Sequence, residues 1–194
     1  MTGAENHDPS RIPPGQYFTE RFPVLHAGVT PKVDLSTWDF AVGGLVAAPS
    51  RYTYDDILSM PRASVTADIH CVTKWTKLDT TWEGVSVEQL LAETEVEPTA
   101  THVLVEAEHG FTANLPLDDF HRSDNLFAYR YNGRDLEVEH GWPLRLVVPH
   151  LYFWKSVKWV RSVSFLDHDQ PGFWERNGYH MYGDPWSEQR YWGD

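Results

Sequence analysis

The clearest strand signal in the chain lies in one stretch, Ala63-Ser-Val-Thr-Ala-Asp-Ile-His-Cys71. Small or apolar side chains alternate there with polar ones, which is the two-residue period of a strand with one buried face. Cys71 ends the stretch on the apolar side. The pattern therefore predicts a half-buried strand whose last residue brings a sulfur atom to the end of a sheet.

Further strand signals on both sides of this stretch determine the predicted fold class. Runs of apolar, β-branched and aromatic residues bounded by turn residues predict strands at 38–46, 102–107, 111–115, 126–131, 134–138, 144–148 and 157–166. Asn132-Gly133 predicts a hairpin turn between two of them. With short helices between the strands, the predicted class is α+β with mixed or mainly antiparallel sheets.

Two helices are predicted from their start and stop signals. One begins after Thr53 and ends before Pro61, because proline interrupts a helix. The other begins at Ser86, where Ser and Gln three residues apart form a capping box, and continues to about Glu93. The segment between Cys71 and Ser86 is predicted as a loop.

The two ends of the chain have unusual compositions. Residues 1–35 are rich in proline, glycine and charge, which predicts an extended arm packed on a single domain that comprises residues 1–194. From Gln170 onward the chain is dense in Trp and Tyr, too aromatic for a solvated tail, so most of this segment is expected to pack on the body.

Composition limits the classes of function. The net charge of −12 disfavours binding to nucleic acid or to anionic lipid. The sequence contains no run of about 18 apolar residues, so no membrane span is predicted. The first ten residues do not resemble a secretion signal, so the chain is expected in the cytoplasm. Cys71 is the only cysteine, which excludes an intramolecular disulfide and any zinc site made of several thiolates.

Two interpretations of Cys71 follow from the residues alone. A lone cysteine on an apolar strand face is more often a small buried hydrophobic residue than a reactive one. Its neighbours favour reactivity, since His70, Lys74 and Lys77 place cationic groups near the strand end, where positive charge stabilises a thiolate. Both metal ligation and nucleophilic attack require that thiolate.

Two segments resemble a known family. The stretch from His70 to Gly84, His-Cys-Val-Thr-Lys-Trp-Thr-Lys-Leu-Asp-Thr-Thr-Trp-Glu-Gly, is similar to the molybdenum-cysteine segment of the sulfite oxidase family, especially of small bacterial members related to the methionine-sulfoxide-reductase catalytic subunit. The segments 139–149 and 155–159 resemble the family's pterin-binding strand and loop. The resemblance implies the sulfite oxidase molybdopterin-binding fold and a molybdenum-molybdopterin cofactor.

The resemblance also implies roles for particular residues. Cys71 matches the protein's ligand to molybdenum, and Tyr179, five residues after Trp174, matches an active-site tyrosine. Positions that match contacts to the pterin and its phosphate are His26, Ala107, His140, Arg145, Ser156, Val157 and Lys158. Sulfite oxidases have consecutive arginines soon after the cysteine, whereas this chain has Lys74, Trp75 and Lys77, which are predicted to face the substrate and do not favour sulfite itself.

The sequence supports three hypotheses for the function. The resemblance implies an enzyme that moves an oxygen atom and two electrons between molybdenum and a small substrate such as a sulfoxide, an N-oxide or an oxyanion. Electrons are expected to pass to or from a separate, unidentified protein partner. The second hypothesis is a carrier that binds the molybdenum cofactor without turnover, and the third is a thiol hydrolase that uses Cys71 with His70 or His109 as base.

Overall fold

The computed structural model describes residues 8–194, in which strands dominate the regular structure. The strands in chain order are β1 (Tyr17–Phe18), β2 (Phe40–Gly44), β3 (Ser50–Tyr52), β4 (Ala63–His70), β5 (Trp75–Ser86), β6 (His102–Ala107), β7 (Thr112–Pro116), β8 (Leu126–Tyr131), β9 (Arg134–Asp135), β10 (Arg145–Val147) and β11 (Val160–Leu166). Three short helices, α1 (Tyr54–Ser59), α2 (Val87–Leu90) and α3 (Leu117–Phe120), lie between strands, and a fourth, α4 (Phe173–Arg176), follows β11.

The strands form two sheets. One has the order β1-β5-β8-β10, with β4 paired to β5 and β9 paired to β8, and the other has the order β3-β2-β11-β6-β7. The pairs β1–β5 and β2–β11 are parallel, and the remaining pairs are antiparallel. The α+β class with mixed sheets and short helices is therefore confirmed.

Strand β8 shows how one sheet serves two cores. Phe127 belongs to the larger core, where its ring lies 5.0 Å from that of Phe40 on the other sheet. Leu126 and Ala128, which point the opposite way, belong to a second core that also contains Cys71. This alternation follows from the pleat of a strand, and it leaves Cys71 on the outer face of the six-stranded sheet.

The prediction of a loop after Cys71 was wrong, because residues 75–86 form the longest strand. Thr76, Thr80 and Trp82 are buried on one face of β5. The Thr80 hydroxyl donates to the Ala67 carbonyl at 2.6 Å and accepts a hydrogen bond from the Trp82 indole at 2.8 Å. Buried threonines do not contribute to an apolar alternation, so the period of the strand was hidden in the sequence.

Other predicted elements differ from the structure mainly in their ends. Helix α1 has the capping box formed by Thr53 and Asp56 and ends before Pro61. Helix α2 begins after Ser86 as expected but contains only four residues. The Asn132-Gly133 turn joins β8 to β9, with positive φ at both residues. The predicted strand 134–138 is shortened to β9, and the rest of it leads into a 3-10 helix, Val138–His140.

The described part of the arm lies along the six-stranded sheet. Strand β1 pairs with the start of β5, and Arg11 forms ion pairs with Asp68 and Asp79, both at 2.6 Å. Residues 1–7 of the predicted arm lie outside the described residues, and the assignment of one domain to the whole chain stays a prediction. No helix in residues 8–194 combines the length and apolar character that crossing a membrane requires.

The aromatic tail packs on the body only in part. Trp174, Tyr179 and Tyr182 are half-buried, whereas Trp192 is 86% exposed and Trp186 and Tyr191 are about half exposed, at 49% and 51%. The expectation that most of the tail is covered therefore holds for its first half and fails for its end.

We expect Thr80→Val to lower the free energy of unfolding by about 1–3 kcal/mol, because the buried Trp82 indole loses its acceptor. Urea unfolding of the purified protein measures the change. Thr66→Val is the matched control, since Thr66 is exposed on the neighbouring strand, and it should stay within about 0.5 kcal/mol of the wild type. Equal effects of the two substitutions would contradict the role given to the Thr80 hydroxyl.

Candidate functional site

Four segments that are distant in sequence meet around a cavity of about 520 Å³. The arm contributes Phe22 and His26, and the turn after β4 contributes Cys71. The loop between β10 and β11 and the tail supply most of the remaining wall. The cavity therefore exists only when both ends of the chain are folded onto the sheets.

The turn after β4 fixes the sulfur of Cys71 in the cavity wall. The Lys74 amide donates to the Cys71 carbonyl, and the Cys71 amide donates to the Trp75 carbonyl, both at 2.9 Å. Lys74 takes a positive φ of 75° to close this turn. The thiol of Cys71, with the residue 8% exposed, lies 3.1 Å from the Thr73 hydroxyl.

The surroundings of the thiol do not match the cationic environment expected from the sequence. Burial raises the pKa of the Cys71 thiol, and the hydrogen bond with Thr73 offsets this only in part. Burial also lowers the pKa of His70 to about 4, so that its imidazole is neutral. Lys74 is exposed, and Lys77 donates to the Glu20 carbonyl. A bound metal would supply the positive charge that stabilises a thiolate in these surroundings.

Arg145 supplies a buried cation to the cavity wall. Its guanidinium donates to the His140 carbonyl at 2.7 Å and to the Ser156 carbonyl at 2.8 Å, and lies 4.4 Å from the ring centroid of Phe153. The residue is 1% exposed, and its Nε has no acceptor. Burial lowers its pKa to about 9. Within residues 8–194 no carboxylate pairs with this charge, which is the environment that attracts an anion.

Lys158 is a second cation on the same wall. Its ammonium lies 2.8 Å from the Glu139 carbonyl, 3.3 Å from His26 Nδ1 and 4.8 Å from the ring centroid of Trp159. Burial, followed by repulsion from Arg145, lowers its pKa from 10.5 to about 7. An anion bound next to Lys158 and Arg145 would oppose both effects and raise the pKa of Lys158.

A glycine lets the two cations approach one backbone segment closely. Gly141 has a φ of 117°, and a Cβ at this position would lie 3.0 Å from Arg145 Cβ and 3.2 Å from Lys158 Cβ. A larger residue would therefore be strained by its backbone and would also push the two cationic side chains apart.

His140 and Ser156 line the cavity, but much of their hydrogen-bonding capacity is used within the chain. The imidazole of His140 stacks on Phe22 at a centroid distance of 4.0 Å, and burial and then the charge of Arg145 lower its pKa. The Ser156 hydroxyl accepts from the Val148 amide at 2.9 Å. The amides of Ser156 and Val157, expected to hold a phosphate, donate to the carbonyls of Phe153 and Lys155.

Tyr179 lies on the same side of the cavity as the sulfur. Its ring stacks on Trp174 at 4.8 Å and meets the edge of Trp154 at 5.0 Å. Burial raises the pKa of the phenol, and the neighbouring Tyr191 and Cys71 raise it further. The phenol is therefore protonated at neutral pH and can donate a hydrogen bond into the cavity.

The structure brings most of the predicted site residues together and leaves three outside. His26, Cys71, Trp75, His140, Arg145, Ser156, Val157, Lys158 and Tyr179 line the cavity. Ala107 is buried in the larger core instead, and Lys74 and Lys77 are not among the residues that line the cavity. Trp75 therefore keeps its predicted place, while the substrate role of the two lysines stays a prediction that the cavity does not favour.

Several wall residues were not predicted as part of the site. Phe22, Phe153 and Trp154 are the main examples, and His109, which also lines the cavity, was named only as a possible base in the thiol hydrolase hypothesis. Nothing in the sequence distinguishes these aromatic side chains from ordinary core residues, because their common position depends on how the arm and tail fold back.

The arrangement fits a molybdenum-pterin cofactor. Cys71 offers a soft sulfur ligand of the kind that such metals bind. Arg145 and Lys158 offer two cations that pair with no carboxylate of residues 8–194, which suits a phosphate. Aromatic rings in the cavity wall, such as Phe153 and Trp154, suit a flat, ring-containing group.

Comparisons with known proteins identify the family of this fold. Residues 26–174 match the family model described as the oxidoreductase molybdopterin binding domain. YuiH of Bacillus subtilis, an uncharacterised oxidoreductase, is 50% identical over 182 residues, which cover 93% of this chain and 92% of that protein. The methionine-sulfoxide reductase catalytic subunit MsrP of Gluconobacter oxydans is 29% identical, over 75% of this chain and 52% of that protein.

More distant relatives are longer than this chain. The mitochondrial sulfite oxidase of Drosophila melanogaster is 28% identical, and the match covers 84% of this chain but only 34% of that protein. The sulfane dehydrogenase SoxCD from Paracoccus pantotrophus superposes with a TM-score of 0.66 at 27% identity, over 72% of this chain and 40% of that one. The resemblance predicted from the sequence is confirmed, and the chain belongs to the family of molybdopterin-binding oxidoreductase domains.

Proposed function

We propose that the protein is a molybdenum-pterin enzyme that transfers an oxygen atom and two electrons to or from a small substrate. The observation that carries the proposal is that one sulfur and one phenol, Cys71 and Tyr179, line the same cavity as two cations that pair with no carboxylate of residues 8–194. The cofactor, when bound, supplies the bond-making chemistry and the electrons. The protein binds it, orients the substrate and excludes water.

Each cavity residue has a separate task in this proposal. Cys71 supplies the protein's sulfur ligand to molybdenum, and Arg145 and Lys158 hold the phosphate of the pterin through charge-assisted hydrogen bonds. Tyr179 donates a hydrogen bond to the oxygen of the substrate, where negative charge develops during the transfer. The aromatic walls lower the local dielectric constant and strengthen these interactions.

The wall near the sulfur favours a neutral substrate over an oxyanion. Trp75, Trp154 and Trp174 line the cavity there, whereas Lys74 and Lys77, the cations that would attract sulfite, lie outside it. A sulfoxide or an N-oxide can accept the Tyr179 hydrogen bond without burying a net charge. Turnover of a sulfoxide, an N-oxide and sulfite by the metal-loaded protein, compared under identical conditions, tests this order.

The same assays separate this proposal from the two alternatives. Bound molybdenum without turnover of any of these substrates would favour a cofactor carrier. Activity in metal-free protein would favour a thiol hydrolase, which the raised pKa of Cys71 disfavours.

A separate electron-transfer protein completes the proposed cycle, in keeping with the name of MsrP as a catalytic subunit. The cytoplasmic location stays a prediction.

We expect Cys71→Ala to fold and to lose turnover, because the replaced side chain is small and the metal loses its protein sulfur. Elemental analysis for molybdenum and pterin fluorescence after oxidation give the cofactor content, and thermal unfolding checks the fold. Pterin content should fall less than turnover, since the phosphate contacts remain. Turnover at the wild-type rate would overturn the assignment of Cys71 as metal ligand.

We expect sulfate, a phosphate substitute of constant charge, to bind cofactor-free protein about tenfold more weakly at pH 8 than at pH 6, since Lys158 loses its proton near pH 7. Burial lowers the pKa values of His26 and His140, so the Lys158 variant described next is needed to separate the titration of Lys158 from theirs. Calorimetry gives the affinities. In Lys158→Met binding should be weaker and almost independent of pH, and an unchanged pH dependence in that variant would exclude Lys158 from the anion site.

We expect Tyr179→Phe to lower kcat roughly a hundredfold, the scale of losing one hydrogen bond to developing charge. The variant keeps the ring that stacks on Trp174, so its Tm and molybdenum content should match the wild type. Steady-state kinetics per bound molybdenum measure the effect. A lower Tm with an unchanged rate would instead make the hydroxyl structural.

A further inference from the structure

A buried ion pair joins the cavity wall to the tail. The carboxylate of Glu175 in α4 accepts from Lys155 Nζ at 2.7 Å and from the Trp154 indole at 2.8 Å, both through Oε1. The two charged side chains are 1% and 0% exposed. One oxygen atom therefore holds both a neutralising cation and a residue of the cavity wall.

Lys155 fixes the position of that oxygen from the other side. Its ammonium also donates to the backbone and side-chain oxygens of Asn114 in β7, at 2.9 and 2.8 Å, and to the Met181 carbonyl at 2.6 Å. An ammonium surrounded in this way has one narrow position. The Glu175 carboxylate is consequently tied to β7 as well as to the tail.

Glu175 reaches Tyr179 by two routes. Through Trp154 it controls the ring whose edge meets Tyr179 at 5.0 Å. Through the backbone it belongs to the same short helix as Trp174, on which Tyr179 stacks. The Gly178 amide also donates to the Glu175 carbonyl at 3.2 Å, directly before Tyr179. Tyr179 packs against the cluster that contains Cys71 and Trp154.

The Glu175 carboxylate and the Trp154 indole are tightly packed. A Cβ on Gly172 would come within 2.6 Å of Glu175 Oε2 and of the Thr112 carbonyl, and a Cβ on Gly183 would come within 2.8 Å of the Trp154 ring. Glycines at both positions let backbone approach the carboxylate and the indole directly. A shift of the carboxylate is therefore transmitted to the indole instead of being absorbed by a void.

We propose that Glu175 is a positioning residue of the site, whose carboxylate, oriented by Lys155, holds the Trp154 indole against Tyr179 and thereby sets the place of the phenol relative to the Cys71 sulfur. Its importance for turnover rests on the proposed function. If Glu175 only neutralised Lys155, any nearby carboxylate would be sufficient. If it positions the Trp154 indole, the side chain must have the length of glutamate.

The test uses Glu175→Asp, which keeps the charge and shortens the side chain by one methylene. A fluorotyrosine placed at position 179 of the cofactor-loaded protein reports the surroundings of the ring by fluorine NMR, and the substitution changes no aromatic neighbour of that ring. Glu188→Asp is the matched control, since Glu188 lies in the same tail, pairs with Arg190 at 2.7 Å and is half exposed.

In Glu175→Asp we expect the resonance at position 179 to move or broaden and kcat per bound molybdenum to fall roughly tenfold, as expected for a small misplacement. KM should change much less. Glu188→Asp should match the wild type in the resonance at position 179, in kcat and in KM. A wild-type resonance and kcat in Glu175→Asp would overturn the proposal, and so would a moved resonance with unchanged kcat.

A second variant decides the matter if Glu175→Asp does not fold. Trp154→Phe keeps both members of the Lys155–Glu175 pair and removes the hydrogen bond to the carboxylate together with part of the ring that meets Tyr179. The proposal therefore expects a fall in kcat at least as large as in Glu175→Asp, and a wild-type kcat overturns it. If the wild type itself turns over none of the substrates, the proposed function fails. The NMR comparison then still decides whether Glu175 positions Tyr179.

Discussion

The side chain of Lys155 is 1% exposed, so its ammonium needs acceptors from the protein. Glu175, Asn114 and Met181 provide them, and they belong to the tail and to the five-stranded sheet. Removing one partner of such a pair typically costs about 3–5 kcal/mol, because the other charge remains buried alone. The tail therefore has to be in place whenever the loop between β10 and β11 is folded. Trp174 and Tyr179 are carried into the cavity wall as a consequence.

Arg145 is buried to the same degree on the same part of the chain, but its charge has no such partner. Its contacts are two carbonyls and the face of Phe153, and one of its nitrogens has no acceptor. Lys158 is nearby with a pKa lowered to about 7. The contrast separates two uses of a buried cation. Lys155 is neutralised by Glu175 and holds the structure together, whereas no carboxylate of residues 8–194 pairs with Arg145 or Lys158, which leaves both available to a bound anion.

This division also explains how an acidic protein can hold an anionic cofactor. A net charge of −12 repels anions at a distance, but salt screens that repulsion beyond about 10 Å, and the cavity wall contains the cations Arg145 and Lys158. Gly141 makes that balance possible by letting both cationic side chains pack against one turn. Affinity for the cofactor is thus decided by a few buried groups and not by the surface charge.

The sequence by itself determined the elements whose patterns are local. The alternation before Cys71, the Asn132-Gly133 turn and the helix start at Thr53 each depend on neighbouring residues, and each appears in the structure. The two matching segments were sufficient to predict the family.

Tertiary structure decided the rest. Strand β5 is a strand because Thr76 and Thr80 are buried with satisfied hydroxyls, and the aromatic walls, the exposure of Lys74 and the partner of Lys155 depend on residues far away in the chain. A one-dimensional pattern records which side chains are apolar, but it does not record which buried polar groups will find partners, because those partners arrive only when the distant segments have folded together.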